Sequence, residues 1–507
     1  MSFISFEFFA FIFLLLIIYF LMPGKWQWIT IPIFSMAFYL SYGVEGVGFI
    51  LFTIILTYIM GILLNQTDER FSEKRKKCED KQLKKQYKED CARTKKKIML
   101  LGLMVNFGIW AVLKYVSILE FMPLGISIYT FIAAGYCIDV YRGKFAAEKN
   151  FLKYCSFVTF FPHIVQGPFS RYDMLGTTLF EKHSFDYERF GQGALRMAWG
   201  YFKKLVVANR ITIVVDIIMA GDSQYGGIYV FLLFILLPIR LYADFSGYMD
   251  IVAGLCHILG IRLQENFIQP FFAKSIDEFW RRWHITLGAW FRDYLFYPVS
   301  MSKSVQKVSK KLKTKVSPST ARLIPSYIAL VFVWTATGLW HGRTPNYILW
   351  GWINLFCIVT GMQFKSFYTK IKQFLHISDE NRIWQGFQMV RTFLIFGFAE
   401  MVSDTRSMYG IFMNCKSLIS EFNWQLIFNP LALFPGLSVQ DLVILAGSVL
   451  VIVVLDVLKE KKIDIYELVH RIPVVVRYVG YVVLFYGIIL LGYFGADVAE
   501  GFMYAQF

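Results

Sequence analysis

Runs of about 20 mostly apolar residues recur along the chain, and each is long enough for a helix to cross a lipid bilayer. Only 17% of the 507 residues are charged, whereas soluble domains average about 25%. We therefore predict an all-α polytopic membrane protein with about ten to twelve transmembrane helices, in which residues 1–507 form one integral membrane domain. The predicted spans include residues 3–22, 28–42, 47–64, 98–119, 124–141, 324–341, 345–364, 383–402, 438–457 and 474–494.

Basic residues are concentrated in a few loops between the predicted spans. The formal net charge is +16, and the stretches 65–97 and 302–322 are the most basic; the second has seven basic residues and no acid. Because loops rich in lysine and arginine stay on the cytoplasmic side of membrane proteins, we predict that both stretches are cytoplasmic. The positive charge therefore indicates membrane topology, and we expect no nucleic-acid partner.

One apolar stretch, residues 151–166, is too short to cross a bilayer. Pro162 interrupts it and Pro168 follows it closely. We predict re-entrant or tilted helices here, which are tolerated at membrane depth where protein or water surrounds them. His163 lies in this broken segment and is interpreted as a structural or cavity-lining residue.

An unusual concentration of charges and tryptophans lies in DEFWRRWHITLGAWFRDYLFYP, residues 277–298. Asp277 can pair with Arg281, and Glu278 with Arg282, because residues four apart meet on a helix. A charged segment between apolar spans is either a surface helix or part of a functional site. Interpreted as one helix, the segment has a single stripe formed by Asp277, Arg281, His284, Gly288 and Arg292.

A histidine lies between glycines in GLWHG, residues 338–342, at the end of an apolar run. The glycines would allow other backbone, or a substrate, to approach the ring of His341. Neutral imidazole tolerates burial and can act as a general base near pH 7. The residues alone leave two interpretations open, a functional His341 and a buried histidine that is hydrogen-bonded to a nearby carbonyl.

Two carboxylates lie close together in DFSGYMD, residues 244–250. We predict two helical stretches, 228–241 and 244–259, joined near Asp244, with Asp250 on the same face as Gly254 and His257. The carboxylates require partners, and the candidates are Arg240, Arg281 and Arg282. A structural ion-pair network and a functional site are both open interpretations of this cluster.

Several common kinds of site are absent from the sequence. It contains no GxSxG, P-loop or HExxH motif. The seven cysteines are scattered without a CxxC pair, so we expect neither a metal site nor a disulfide framework. The residues therefore favour an enzyme that uses histidine chemistry inside the membrane. The alternative is a transporter or flippase that uses the same buried charges.

Motifs along most of the chain resemble the membrane-bound O-acyltransferases, specifically the bacterial alginate O-acetyltransferase branch. The matching pieces are PLGISIYTF (123–131), IDVYRGK (138–144), FFPHIVQGPFSRY (160–172), DFSGYMDIVAGL (244–255), ENFIQPF (265–271), residues 277–298, GLWHG (338–342) and FMYAQF (502–507). D-alanyl transferases of teichoic acid synthesis share the RWH and WHG elements, so D-alanyl transfer remains an alternative.

The resemblance implies a ring of tilted helices around a central tunnel in the cytoplasmic membrane of the cell. It implies that His341 is the catalytic histidine and that His284 is the second conserved polar residue of the site. Asn354 stands where relatives often carry histidine, and we assign it no catalytic role because an amide cannot take up a proton. The residues expected to bind the donor or line the tunnel are Arg281, Arg282, Asp250, Trp340 and Asn266.

The resemblance also implies the substrates and partners. Acetyl-CoA is the expected donor, and no permanently bound cofactor is expected. A separate extracytoplasmic SGNH-type protein is expected to complete the transfer to a polysaccharide acceptor. Membrane lipid surrounds a protein of this class.

Overall fold

The protein is built of helices over the whole part that the structure describes. The computed structural model describes residues 1–116, 121–220 and 225–494. The C-terminal motif FMYAQF (502–507) lies outside these residues. Within them no β-strand forms, and one isolated antiparallel bridge joins Phe267 to Trp283. The predicted all-α fold class is confirmed.

The helices vary widely in length. In the N-terminal half they are Phe6–Leu21, Gln27–Ile29 (3₁₀), Thr30–Leu40, Val47–Lys77, Lys81–Tyr115, Ile126–Tyr141, Phe151–Thr159, Phe161–Ile164, Tyr172–Leu179, Tyr187–Tyr201, Phe202–Ala208 (π), Asn209–Met219 and Ile228–Leu259. In the C-terminal half they are Pro270–Phe272 (3₁₀), Ile276–Arg282, Ile285–Phe291, Arg292–Phe296 (π), Tyr297–Ser300, Lys303–Leu312, Pro318–His341, Pro345–Gln363, Lys365–Phe374, Arg382–Asp404, Met408–Ser420, Trp424–Phe428 (3₁₀), Pro430–Leu433, Val439–Glu460, Ile465–His470 and Val474–Leu491.

Six helices of the described part are long and apolar enough to cross a membrane, or seven if a pair bent by 63° is one span. Three more helices are apolar but shorter, at 10–17 residues. The predicted ten to twelve spans include these shorter helices and Arg382–Asp404. For this reason the predicted number of spans exceeds the number of helices that are both long and apolar enough to cross a membrane. The six long helices are Val47–Lys77, Lys81–Tyr115, Ile228–Leu259, Pro318–His341, Val439–Glu460 and Val474–Leu491.

The basic stretch 65–97 extends two apolar helices into a charged hairpin. Val47–Lys77 and Lys81–Tyr115 continue through it and leave only a short connection. The side chain of Asp80 accepts a hydrogen bond from the Gln82 backbone and so caps the second helix. The stretch is thus mostly helical, and its cytoplasmic location stays a prediction.

The predicted break near Asp244 is wrong. Ile228–Leu259 is one helix of 32 residues, with Pro238 inside it. A buried ion pair to Lys204, 2.6 Å away, balances the charge of Asp244, so the carboxylate does not need a break in the helix to reach water. By contrast, the predicted break in 151–166 is present, because one helix ends at Thr159 and the next begins at Phe161.

The described residues divide into two compact units. The first comprises 1–194 and 252–264, and the second comprises 195–251 and 265–507. These are regions of dense internal contact, and the expectation of a single integral membrane domain stays a prediction. The two candidate histidines His284 and His341, with their partners, belong to the second unit.

Candidate active site

The charged segment 277–298 does not form one helix. Helix Ile276–Arg282 ends, His284 has left-handed backbone angles (φ 45°, ψ 49°), and a new helix begins at Ile285. The predicted single stripe is therefore wrong beyond Arg282, because the break rotates the later residues away from it. Within the first helix the predicted pairs are confirmed: Arg281 contacts Asp277, and Arg282 lies 2.9 Å from Glu278.

The cause of the break is a short extended pairing with residues 266–268. The Ile268 N–H donates to the Arg282 carbonyl at 2.9 Å, and the Ile285 N–H donates to the Asn266 carbonyl at 3.1 Å. These bonds satisfy backbone groups that a continuous helix would have used internally. The pairing brings His284 to a buried position, where it is 3% exposed.

The side-chain amide of Asn266 holds the turn that carries His284. Its Oδ1 accepts from the backbone N–H and the hydroxyl of Thr286, at 3.1 and 2.9 Å, and lies 3.3 Å from His284 Nδ1. An acceptor facing Nδ1 requires that this nitrogen carry the hydrogen, which leaves Nε2 with its lone pair. Burial lowers the pKa of His284 to about 3, so the imidazole is neutral at pH 7.

The two candidate histidines meet the same indole ring. The ring centre of Trp340 lies 6.1 Å from that of His284 and 4.8 Å from that of His341. His341, the last residue of helix Pro318–His341, is 7% exposed. The structure thus brings together four of the predicted site residues, His284, His341, Trp340 and Asn266.

The glycines of GLWHG are explained by contact with the next helix. A Cβ on Gly338 would lie 2.6 Å from the Tyr347 carbonyl oxygen, and one on Gly342 would lie 1.9 Å from the Tyr347 ring. Both glycines thus make room for Tyr347, and the expected approach of backbone or substrate to the His341 ring stays a prediction. Helix Pro345–Gln363 therefore packs directly against the end of the helix that carries His341.

A buried polar network behind His341 was missed in the sequence. The ring of Trp350 lies 4.8 Å from that of His341, and its indole N–H donates to Glu400 at 2.8 Å. Asn354 accepts from the Trp280 indole at 2.9 Å and donates to the Trp350 carbonyl, which is a structural role for its amide. The one available signal was Glu400 itself, a carboxylate within the predicted span 383–402.

Asp250 has partners other than the predicted arginines. Lys203 lies 2.6 Å and Arg196 2.9 Å from its carboxylate, while Arg240 pairs with Asp404 at 2.5 Å. Lys203 comes from the π-helix Phe202–Ala208, whose widened turn could not be read from the sequence. The structure places Asp250 in a buried ion-pair network, and its expected role in donor binding or in lining the tunnel stays a prediction.

The two arginines of helix Ile276–Arg282, the charged helix, have different surroundings. Arg281 is largely exposed and pairs with the equally exposed Asp277. Arg282 is mostly buried and also contacts Glu460, at 2.7 Å. Their expected roles in donor binding stay predictions.

An apolar groove of about 780 Å³ lies among three helices of the second unit. Neither His284 nor His341 lines it, so it is not the expected tunnel. Its lining includes Phe231, Phe234, Trp352, Ile353, Phe387 and Arg391.

Comparison with known proteins is consistent with the motifs. Residues 144–314 match the model of MBOAT, the membrane-bound O-acyltransferase family. A probable alginate O-acetylase, AlgI, of Pseudomonas syringae is 30% identical over 330 residues, 64% of this chain and 57% of that protein. A peptidoglycan O-acetyltransferase of Helicobacter pylori is 23% identical over 376 residues, 66% of this chain and 63% of that protein.

A teichoic acid D-alanyltransferase of Bacillus subtilis is 28% identical over 232 residues, 45% of this chain and 56% of that protein. In each case the chain spans less than two thirds of the relative's length. The matched family segment includes the Asp244–Asp250 motif, Asn266 and His284. The resemblance indicated by the motifs is therefore confirmed: this multi-pass, all-helical membrane protein is similar to the membrane-bound O-acyltransferases, whose family model matches residues 144–314.

Proposed function

We propose that this protein is a membrane O-acyltransferase that moves an acetyl group from cytoplasmic acetyl-CoA across the membrane for O-acetylation of a cell-surface or secreted polysaccharide. The observation that carries the proposal is the placement of two buried histidines, His284 and His341, against the one indole ring of Trp340. The relatives named as an alginate O-acetylase and a peptidoglycan O-acetyltransferase support acetate as the group and a glycan as the acceptor.

His341 acts as the general base. It removes the proton from an acceptor hydroxyl, and the oxygen attacks the carbonyl carbon of the thioester. The carbon–sulfur bond then breaks, the ester forms, and the imidazolium returns its proton to the departing thiolate. Burial of His341 keeps water away from the reacting thioester, which disfavours simple hydrolysis.

His284 supports the reaction as a hydrogen-bonding group. Its Nδ1 faces Asn266, so Nε2 can accept a hydrogen bond from the acceptor or from the donor's amide groups. The lowered pKa of its buried ring makes His284 a poor proton acceptor at pH 7. His284 is thus a supporting residue on the donor side.

The arginines have separate tasks in this proposal. Arg282, held by Glu278 and Glu460, fixes the charged helix in place. Arg281, which is exposed, is available to orient the phosphates of acetyl-CoA. The protein resides in the cytoplasmic membrane, and an extracytoplasmic SGNH-type partner completes transfer to the glycan.

The test combines a cellular and a purified assay. His341→Ala should abolish O-acetylation of the surface glycan while the amount of protein in the membrane stays normal, whereas His376→Ala, at an exposed histidine, should leave acetylation intact. Purified wild-type protein given radiolabelled acetyl-CoA should release free CoA and transfer the label to an acceptor. Acetylation retained by His341→Ala would refute the assignment.

D-alanyl transfer from a carrier protein is the second candidate, because a teichoic acid D-alanyltransferase is among the relatives. The two functions differ in the donor. Purified protein that transfers D-alanine from a loaded carrier protein, and leaves acetyl-CoA unchanged, would establish the second. A transporter would form no covalent product with either donor.

A further inference from the structure

A buried carboxylate lies two contacts away from the candidate general base. Glu400, in helix Arg382–Asp404, is 8% exposed and accepts the indole N–H of Trp350 at 2.8 Å. The Trp350 ring centre is 4.8 Å from that of His341, with the ring planes inclined by 62°. Glu400, Trp350 and His341 thus form a continuous line of contacts.

The orientation of Trp350 depends on this bond, because an indole has one polar hydrogen and Glu400 accepts it. Aromatic neighbours restrain the ring elsewhere: Trp280 lies 5.5 Å and Trp334 6.0 Å from its centre. Those contacts are apolar and tolerate sliding of the ring. The hydrogen bond to Glu400 is directional and fixes the ring in its plane.

We infer that Glu400 is a positioning residue for His341, acting through the indole ring of Trp350. This inference rests on the proposed acyl transfer, in which His341 takes up a proton. The Glu400 side-chain oxygen that accepts the indole N–H makes the ring more electron-rich, and an electron-rich ring within about 6 Å favours a cation. Glu400 therefore both orients the imidazole and stabilises the imidazolium that forms in the reaction.

The side chain of Glu400 accepts its hydrogen bond from the Trp350 indole, although charged groups lie nearby. These charged groups are Arg240 and Asp404, which pair with each other at 2.5 Å. Asp404 lies one helical turn from Glu400. Glu400 is therefore placed to hold Trp350, and through Trp350 the ring of His341.

Kinetics of graded variants test the inference. Glu400→Gln keeps an acceptor oxygen for the indole N–H, and Glu400→Leu removes it. We expect kcat for acetyl transfer to fall about tenfold in Glu400→Leu and by less in Glu400→Gln, with KM for acetyl-CoA unchanged, since about 1.4 kcal/mol corresponds to a factor of ten. A rise in KM with kcat unchanged would overturn the inference.

A matched tryptophan on the same helix provides the control. The Trp352 indole donates to Thr335 at 3.1 Å, and Trp352 is 52% exposed. Trp350→Phe should reduce kcat as Glu400→Leu does, and combining the two should add little. Trp352→Phe should leave kcat as in wild type, and an equal effect of the two Phe variants would contradict the proposal.

A second measurement does not depend on activity. The chain has seven histidines, so a sample with isotope-labelled histidine rings gives few NMR signals, and His341→Asn assigns that of His341. Displacement of the Trp350 ring in Glu400→Leu should change the ring-current shift of the His341 signal, with the other six little affected. An unmoved His341 signal in a folded Glu400→Leu protein would refute positioning, whereas wild-type protein without acyl transfer would refute only the proposed function.

Discussion

The side-chain oxygen of Asn266 lies 3.3 Å from Nδ1 of His284 and also accepts two hydrogen bonds from Thr286. One amide therefore sets the tautomer of the imidazole and closes the turn in which that imidazole lies. His284 needs this support, because its left-handed backbone costs a residue with a Cβ about 1 kcal/mol or more.

Asn266→Ala should destabilise the protein and reduce acyl transfer. It deprives three buried donors of their shared acceptor, and each such loss costs about 1–3 kcal/mol. We expect the thermal midpoint in detergent to fall clearly. As a control, Asn423→Ala removes an exposed helix cap and should cost about 1 kcal/mol with no change in transfer. Equal losses in the two variants would contradict a special role for Asn266.

Burial of His284 predicts acid sensitivity. Its pKa falls from 6.5 to about 3 on folding, so between these pH values the unfolded chain binds a proton that the folded site excludes. Titration of His284 therefore leaves the free energy of unfolding unchanged above pH 6.5. As the pH falls from 6.5 towards 3, it lowers that free energy by up to about 1.4 kcal/mol per pH unit.

His284→Asn should remove this part of the pH dependence. Asparagine tolerates left-handed backbone and carries no proton in this range. The thermal midpoint of the variant should therefore fall less between pH 7 and pH 5 than that of wild type. His376→Asn is the matched control, since His376 is exposed and also left-handed, with φ 52°. A wild-type pH profile in His284→Asn would refute the prediction.

The pair of Lys203 and Asp250 should behave as a buried ion pair. Asp250→Asn leaves the lysine, 2.6 Å away, without its counter-charge, and breaking such a pair costs about 3–5 kcal/mol. Lys203→Met combined with Asp250→Leu should recover part of the loss, measured by unfolding in detergent. The exposed pair Asp277 and Arg281 provides the contrast, because Asp277→Asn should change stability little.

Local patterns in the sequence predicted the local structure well. Apolar runs predicted the long helices, and residues four apart predicted the pairs of Arg281 and Arg282, since both signals depend only on neighbours along the chain. The break at His284 could not be predicted from its own segment, because it depends on pairing with residues 266–268.

Partners distant in the sequence were the main source of error. The sequence suggests Arg240, Arg281 and Arg282 as partners of Asp250, but the π-helix Phe202–Ala208 supplies Lys203. The contact between Glu400 and Trp350 likewise joins two separate helices, and no spacing within either one encodes it. The residue types alone indicate that a buried charged or polar side chain needs a partner. Which partner it has depends on how the helices pack, and that cannot be read from the sequence of one helix.

Gly338→Ala should disturb the site without changing a polar side chain. The added methyl group would lie 2.6 Å from the Tyr347 carbonyl oxygen and 3.0 Å from the Ile348 Cα, both backbone atoms that cannot rotate away. The two helices must therefore separate, at a cost of about 1–3 kcal/mol. Because helix Pro345–Gln363 also carries Trp350, the separation should lower acyl transfer together with the thermal midpoint.

Gly361→Ala is the control for this substitution on the facing helix. A Cβ there meets no atom within 4 Å, and alanine favours helix over glycine by up to about 1 kcal/mol. The variant should keep full transfer activity and unfold at the same or a slightly higher temperature in detergent. If Gly338→Ala behaved like Gly361→Ala in both measurements, the close contact at GLWHG would not support the site.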